Sequence, residues 1–257
     1  MKIWLFSDLH LEHTPIASLQ PPQADVCIAA GDILDKGIVP SLEWLNANIA
    51  PSMPVIFVAG NHEFYRSSVI ESLAAAKTAA ADMPNVHFLH NRAVEIGDVL
   101  FVGATLWTDQ DLHSNRQLSA FFAKDSQIGM KDYKKISWQK SPWQRLTPAR
   151  TIGMHRESRS FIAKTLEARN GKAVVASHHA PSIQSMSETD GANTSAPSYA
   201  SNLEALIEEL KPSAWVHGHV HRSNRYRIGQ TEILSNPRGY GDNEKGTSFD
   251  PSFVFEV

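Results

Sequence analysis

The chain of 257 residues has a single cysteine, Cys27, so an intrachain disulfide is impossible and disulfide stabilisation of an extracellular domain is excluded. It also lacks a strong charge of either sign, because 24 Lys and Arg oppose 27 Asp and Glu and leave a formal net charge of -3. This balance gives no broad basic surface, and therefore no strong signal for nucleic-acid binding. No run approaches the roughly 18 apolar residues of a membrane span. The apolar start is interrupted too early for a secretory signal, so we expect a cytoplasmic location.

What the sequence does contain is material for a folded core, since 42% of its residues are hydrophobic and 20% are charged. Large α/β folds reach this length, so we predict a single domain over residues 1–257. Short apolar runs that end in Gly, Asp, Asn or His predict buried strands at 2–7, 26–30, 55–59, 99–103, 173–177 and 214–217. Amphipathic patterns predict helices at 39–49, 68–81, 151–169 and 202–210. Strands that alternate with helices indicate an α/β architecture.

Three regions depart from this alternation. The pieces 225–228, 231–234 and 252–256 resemble short strands, with a hairpin turn at 228–231, and we expect them to form a second, more antiparallel sheet. Residues 109–148 fit neither period and concentrate aromatic side chains, which predicts an insertion. It either forms a lid over a site, or packs on the body or on a second copy in a homodimer. Residues 181–199 are rich in Ser, Thr, Ala and Asn and predict a loop.

Several predicted strands end at once in side chains that bind metals. Ligands in open α/β sheets bind at the carboxyl ends of the strands, so we expect these side chains to converge there. Residues i and i+2 of an extended chain point to the same side, which pairs Asp8 with His10 and His219 with His221. The candidate metal ligands are Asp8, His10, Asp32, Asn61, His178, His219 and His221.

Four imidazoles, two carboxylates and one amide are more donors than one ion needs and suit two divalent ions. A shared carboxylate would hold the ions roughly 3.5 to 4 Å apart, the separation used in two-metal phosphoryl chemistry. Mixed nitrogen and oxygen donors suit Mn, Fe, Zn, Co or Ni better than Mg or Ca, and we favour manganese.

Five short motifs occur along the chain in the order Asp8-Leu9-His10, Gly31-Asp32, Gly60-Asn61-His62-Glu63, Ser177-His178 and Gly218-His219-Val220-His221. In this order they resemble the motifs of the calcineurin-like metallophosphoesterases, and in particular those of the small bacterial-type phosphohydrolases and phosphodiesterases. The resemblance implies a four-layer αββα sandwich of two mixed β-sheets flanked by helices. Protein phosphatases of this superfamily carry an arginine after the second aspartate of the Gly-Asp block, whereas Lys36 follows Asp35 here. Lysine lacks the bidentate fork of arginine, which disfavours a protein phosphatase.

The resemblance also implies roles for single residues. One ion would be bound by Asp8, His10, Asp32 and His221, and the other by Asp32, Asn61, His178 and His219. A hydroxide between the ions would attack phosphorus in line, and His62 would assist departure of the leaving group. Asp32 and His62 are therefore the candidate catalytic residues.

Two further residues are candidates for substrate binding. His179 either lines the pocket or orients a neighbouring ligand. Arg238, in the turn Asn236-Pro237-Arg238-Gly239-Tyr240, either contacts the substrate phosphate or is solvated.

The expected activity is hydrolysis of a small phosphodiester or phosphomonoester. A nuclease acting on DNA or RNA ends is one alternative, for which Lys131, Lys134, Lys135 and Lys140 are the local basic candidates. A non-catalytic metal-binding scaffold is another. The full ligand set together with His62 argues against the scaffold, because a scaffold needs neither.

Overall fold

The computed structural model describes residues 1–16, 19–125, 127–241, 244 and 247–257. Ser126, within the predicted insertion, lies outside the described residues. The strands are β1 (Lys2–Phe6), β2 (Val26–Ala29), β3 (Val55–Phe57), β4 (Val86–Phe88), β5 (Arg92–Ile96), β6 (Val99–Ala104), β7 (Ser137–Gln139), β8 (Gln144–Arg145), β9 (Lys172–Ser177), β10 (Ala214–His217), β11 (Asn224–Ile228), β12 (Thr231–Ser235) and β13 (Val254–Glu256). The α-helices are α1 (Ile38–Asn48), α2 (Val69–Ala80), α3 (Arg116–Ala123), α4 (Asp132–Lys135), α5 (Pro148–Ala168), α6 (Glu188–Gly191) and α7 (Glu204–Leu210).

Two large mixed sheets form the centre of the molecule. The first has the order β13-β1-β2-β3-β4, and the second has the order β11-β12-β10-β9-β6-β5. Within them β1 to β4 are mutually parallel, and β6, β9, β10 and β12 are mutually parallel. The carboxyl ends of the parallel strands within each sheet therefore lie at one edge.

Alternation along the strands explains the layers. In β1, Ile3 and Leu5 point into a core shared by both sheets, whereas Trp4 and Phe6 belong to a separate cluster with α1 and α2. A third cluster packs the outer face of the second sheet, including Trp215, against α5 and α7. Successive residues of a strand face opposite sides, so each sheet buries one face on its partner and the other on helices. The predicted αββα sandwich of two mixed sheets is confirmed.

The carboxyl-terminal strands differ from the expectation of a separate antiparallel sheet. The hairpin β11-β12 joins the second sheet through parallel pairing of β12 with β10, and β13 pairs antiparallel with β1 in the first. Short strands have unpaired edges, and both sheets offer an edge that these pieces cover.

The predicted insertion, residues 109–148, contains α3, α4 and the small β7-β8 hairpin. Asn115 caps α3, because its side chain accepts a hydrogen bond from the Leu118 amide at 3.2 Å. Tyr133, Ile136 and Leu146 are buried in the cluster that also holds α1 and α2. Much of the segment is therefore packed onto the body. No helix of the described ranges is both long and apolar enough to cross a membrane.

Candidate metal centre

The predicted ligands lie on turns that directly follow the parallel strands. Asp8 follows β1, Asp32 follows β2, and Asn61 follows β3, while His178 and His219 follow β9 and β10. Backbone hydrogen bonds join the turns, with the Asp8 amide donating to Gly31 O at 2.9 Å and the Gly218 amide donating to His178 O at 3.0 Å. The sheet topology thus brings together side chains that are up to 213 residues apart, as between Asp8 and His221.

The backbone at these turns is strained. Left-handed torsions, with φ between 45° and 67°, occur at Asp8, His10, Asp32, His219 and His221. Residues with a Cβ rarely adopt this region, at a cost of roughly 1–3 kcal/mol each, and such residues cluster at functional sites. The surrounding fold holds the predicted ligands in conformations that they would not adopt alone.

A first group of donors consists of Asp8, His10 and His221, whose ligand atoms lie within 4.8 Å of one another. His10 Nε2 lies 3.0 Å from His221 Nε2, which in turn lies 3.4 Å from Asp8 Oδ1. Asp32 Oδ2 lies 3.7 Å from His10 Nε2.

A second group consists of Asp32, His178 and His219, again within 4.8 Å of one another. His178 Nε2 lies 3.4 Å from Asp32 Oδ2 and 3.0 Å from Asn61 Oδ1. His219 Nε2 is buried and has no hydrogen-bond partner among the described residues. A buried orphan nitrogen is costly unless another group pairs with it.

These spacings suit metal coordination. Donors about 2.1 Å from a shared ion lie about 3.0 Å apart in an octahedral site and about 3.4 Å apart in a tetrahedral one. Most of the distances between donor atoms fall within this range. The donors combine nitrogen and oxygen atoms, as is common in transition-metal sites. The residues present therefore fit divalent ions.

The far nitrogens of three imidazoles face hydrogen-bond acceptors, which orients the rings. His178 Nδ1 donates to Ala30 O at 2.8 Å. His10 Nδ1 faces Glu12 Oε1 at 3.2 Å, and His221 Nδ1 faces Glu244 Oε2 at 2.7 Å. A proton on each Nδ1 leaves Nε2 as the ligand atom, the arrangement usual around protein-bound metals.

Asn61 is oriented in the same manner by a residue of the insertion. Its Nδ2 donates to Asp132 Oδ1 at 2.9 Å, which leaves Oδ1 toward His178. Tyr65 donates its hydroxyl to the same Asp132 oxygen at 2.8 Å. Glu12, Glu244 and Asp132 were not recognised from the sequence. Only Glu12 carried a signal, since it lies two residues after a predicted ligand.

Glu63 ties the turns of β2 and β3 together. Its buried carboxylate accepts hydrogen bonds from the amides of Asp32 and Gly60 on Oε2, at 3.0 and 2.7 Å. Its Oε1 accepts from the Ile33 amide at 2.8 Å and from the Ser41 hydroxyl at 2.9 Å. By accepting these four hydrogen bonds, Glu63 fixes the turn that carries Asp32 and the turn that carries Asn61.

The protonation of the site is governed by burial and by close charge pairs. Burial would raise the pKa of Asp32, but the nearby His178 and His62 hold it well below its usual value. Burial opposes the charged form of His178, yet the Asp32 carboxylate raises the pKa of His178 to about 9. Burial is likewise outweighed at His221, where Asp8 and Glu244 raise the pKa to about 10. Without bound ions, the protons on His178 and His221 supply positive charge beside the carboxylates.

The two candidate substrate-binding residues lie behind the donors. His179 is buried, with Nδ1 3.2 Å from Thr105 O and its ring against His219. Burial together with the charge of His178 lowers the pKa of His179 to about 3, so the ring is neutral. Arg238 Nη1 donates to Leu9 O and to the carbonyl of Thr14, both at 2.7 Å. Neither side chain is among the described residues that line the adjoining cavity, and these contacts favour support of the ligand turns.

A cavity of about 480 Å³ opens above the donors. The donor residues Asp32, Asn61, His219 and His221 form its floor together with His62. Residues 128–131 of the insertion and residues 186–195 of the predicted loop contribute to its walls. The insertion thus packs on the body and also forms part of the cavity wall.

His62 lies at this floor and is well held. Its ring is stacked on Tyr65 with centroids 4.1 Å apart, and its Nδ1 faces Glu12 Oε1 at 3.0 Å. Burial would lower the pKa of His62, but the charge of Asp32 and the contact with Glu12 raise it. A ring nitrogen lies within 4.8 Å of donor atoms of His10 and Asp32. Geometry and charge therefore suit proton donation beside the donor groups.

Comparison with known proteins agrees with this description. The calcineurin-like phosphoesterase family matches residues 1–223. The uncharacterized protein L509 of Acanthamoeba polyphaga mimivirus is 26% identical over 280 residues, which cover 98% of this chain and 95% of the relative. The crystal structure of phosphopantetheinyl hydrolase (PptH) from Mycobacterium tuberculosis is similar in fold, with a TM-score of 0.72 and 19% identity over 93% of this chain and 89% of that chain. With its match over most of the length, the chain belongs to the calcineurin-like phosphoesterase family and is a metal-dependent phosphoric ester hydrolase.

Proposed function

We propose that the protein hydrolyses a small phosphodiester or phosphomonoester with the help of two divalent ions. One ion would be held by Asp8, His10, Asp32 and His221. The other would be held by Asp32, Asn61, His178 and His219.

The observation that carries this proposal is the position of Asp32 between the two donor groups. Its Oδ2 lies 3.7 Å from His10 Nε2 and 3.4 Å from His178 Nε2, so one carboxylate reaches both groups. A shared carboxylate would hold the two ions close together, as two-metal hydrolysis requires.

When bound, the ions would stabilise charge on the phosphoryl oxygens and supply an activated water for attack at phosphorus. The chain itself provides the group for the opposite side of the reaction. His62 lines the cavity while its Nδ1 is engaged by Glu12, so Nε2 is left for the substrate. From there it donates a proton to the departing oxygen. Asp32 is the second proposed catalytic residue, because its carboxylate would be shared by both ions.

The cavity favours a small ester. Its volume of about 480 Å³ lies in the range of small-molecule sites. Met130, Tyr199 and Tyr240 offer apolar and aromatic surface for a leaving group, and Lys131 and Arg222 offer cationic charge for a second anionic group. The fold neighbour is named for phosphopantetheinyl hydrolysis, so a phosphopantetheinyl diester belongs in the substrate panel.

The first test is metal removal. Protein stripped with a chelator is expected to lose hydrolysis of bis(p-nitrophenyl) phosphate and to regain it with Mn²⁺, Fe²⁺, Zn²⁺, Co²⁺ or Ni²⁺, with Mn²⁺ favoured. Asp32→Asn removes the shared carboxylate and should not be restored by any ion. Asp98→Asn is the matched control, because Asp98 lies at the surface with 71% of its side chain exposed. Full activity in chelator would contradict the proposal.

A nuclease is the second candidate, favoured by one local observation. Lys131 lines the cavity, and the ammonium of Lys135 lies 4.6 Å from the ring centroid of Tyr65 beside His62. A nuclease would degrade single-stranded DNA with a steep decrease in rate as salt rises. Activity on the small ester without such cleavage would decide for the first candidate.

The cytoplasmic location and the homodimer stay predictions.

A further inference from the structure

Glu12 lies outside the predicted ligand set, yet its carboxylate lies close to three histidines at the site. Its Oε1 is 3.0 Å from His62 Nδ1, 3.2 Å from His10 Nδ1 and 3.8 Å from His13 Nε2. Its Oε2 is buried and has no hydrogen-bond partner among the described residues. One carboxylate oxygen thus lies beside three histidine rings, two of them within hydrogen-bond distance.

We propose that Glu12 is the positioning residue for His62, and that it holds the ring so that Nε2 faces the leaving group of the substrate. This inference rests on the proposed role of His62. Glu12 acts through His62, because it is not among the described residues that line the cavity whereas His62 is.

The surroundings of His62 leave Glu12 as its hydrogen-bonding anchor. Stacking on Tyr65, with centroids 4.1 Å apart and planes at 28°, fixes the plane of the ring. Stacking does not choose which edge of the ring faces the cavity, since a flip about the ring axis keeps the same plane. The contact from Nδ1 to Glu12 breaks that symmetry, because a flipped ring would turn a carbon toward the carboxylate. Positioning by a carboxylate on the far nitrogen is a general device for histidines that transfer protons.

Glu12 also contacts His10, so an effect on metal binding must be separated from an effect on His62. The two effects differ in their dependence on the leaving group. Loss of a proton donor slows poor leaving groups far more than good ones, because good ones depart as anions without help. Loss of metal slows all substrates of a series alike.

The experiment compares aryl methyl phosphates, from p-nitrophenyl to unsubstituted phenyl, in wild type, Glu12→Ala, Glu12→Gln, His62→Ala and the Glu12→Ala/His62→Ala double variant. All are assayed at saturating Mn²⁺, with metal content measured by mass spectrometry. We expect Glu12→Ala to lower kcat about 10- to 100-fold for the phenyl ester and less than about 3-fold for the nitrophenyl ester, with KM unchanged. Glu12→Gln keeps an acceptor oxygen, so it should restore kcat for the phenyl ester to within about 5-fold of wild type. In the double variant Glu12→Ala should add nothing to His62→Ala.

A crystal structure of each metal-free variant gives a second measurement that does not depend on turnover. The His62 ring should leave its place on Tyr65 or flip in Glu12→Ala and keep its place in Glu12→Gln. An equal loss of kcat for every leaving group, or a further loss in the His62→Ala background, would overturn the role of Glu12. If His62→Ala itself showed no selectivity among leaving groups, the proposed role of His62 would fall, and that outcome is separate from a failure of Glu12 alone.

Discussion

Replacement of Glu63 by glutamine tests how firmly the fold holds the turns that carry the proposed metal ligands Asp32 and Asn61. The amide is nearly the same size as the carboxyl, but it offers one oxygen in place of two. Each carboxylate oxygen of Glu63 accepts two hydrogen bonds, and three of the four come from backbone amides of the turns that carry the proposed ligands Asp32 and Asn61. If Oε2 becomes the amide nitrogen, the amides of Asp32 and Gly60 both face another donor. If Oε1 becomes the nitrogen, only the Ile33 amide does, because the Ser41 hydroxyl can turn and accept a hydrogen bond.

The magnitude follows from this count. A buried donor without an acceptor costs about 1–3 kcal/mol, so one or two of them lower the free energy of unfolding by about 1–6 kcal/mol. Burial and the nearby charge of Asp32 raise the pKa of Glu63 to about 7, so the comparison belongs at pH 8, where the wild-type carboxyl is ionised. Metal-free protein keeps the measurement free of ligand stabilisation.

Urea unfolding of metal-free Glu63→Gln measures the loss directly. Glu43→Gln is the matched control, because Glu43 is an exposed residue of α1, and its change should stay within about 0.5 kcal/mol. Competition with a chelator should also show weaker Mn²⁺ binding to Glu63→Gln, since Asp32 and Asn61 lose the support of their turns. A loss below about 1 kcal/mol together with unchanged Mn²⁺ affinity would refute this role of Glu63.

Other predictions test the protonation of His178 and His221, the contact of Asp132 with Asn61, and the hydrogen bonds of Arg238. The raised pKa values of His178, about 9, and His221, about 10, mean that both rings are protonated at pH 7 without metal. Metal must displace these protons, so the logarithm of Mn²⁺ affinity should rise with pH between 7 and 9, by up to about one unit per pH unit for each proton, in isothermal titration; a flat profile would contradict this. The same pKa shifts stabilise the metal-free fold below the ordinary histidine pKa, and this stabilisation should be lost as pH rises through 9 to 10, seen as a falling Tm. Asp132→Ala removes the acceptor of Asn61 Nδ2 and should weaken Mn²⁺ binding about 10- to 100-fold in chelator competition; unchanged binding would show that Asn61 needs no such support. Arg238→Ala should lower the free energy of unfolding by about 1–3 kcal/mol in urea, because the Leu9 and Thr14 carbonyls lose their donor, with KM changed less than about 2-fold; a large rise in KM would instead favour the phosphate contact.

The sequence predicted the architecture well where one signal dominated. Apolar runs such as Ala214–His217 end in polar side chains, and the strand has those bounds in the structure. The close approach of the candidate ligands could be predicted because most of them follow such a run, and parallel strands bring their carboxyl ends to the same end of a sheet. Their role as metal ligands stays a prediction. The strand Arg92–Ile96 was missed, since its partly exposed, mixed pattern lacks a continuous apolar run.

Long-range contacts explain what the sequence could not show. Asp132 reaches Asn61 across 71 positions, and the Asp132 neighbourhood has no motif that indicates this contact. The allocation of the last strands depended on which sheet edges were open, a property of the assembled fold. Arg238 was recognised as a candidate for substrate binding, but its guanidinium donates to the carbonyls of Leu9 and Thr14. No local sequence pattern reveals these two contacts.

Anomalous diffraction from a crystal soaked in Mn²⁺ tests the central claim most directly. Two manganese peaks are expected on either side of the Asp32 carboxylate, roughly 3.5 to 4 Å apart, and both should be missing from an Asp32→Ala crystal. A single peak, or peaks bound away from Asp32, would contradict a shared carboxylate and with it the two-ion site.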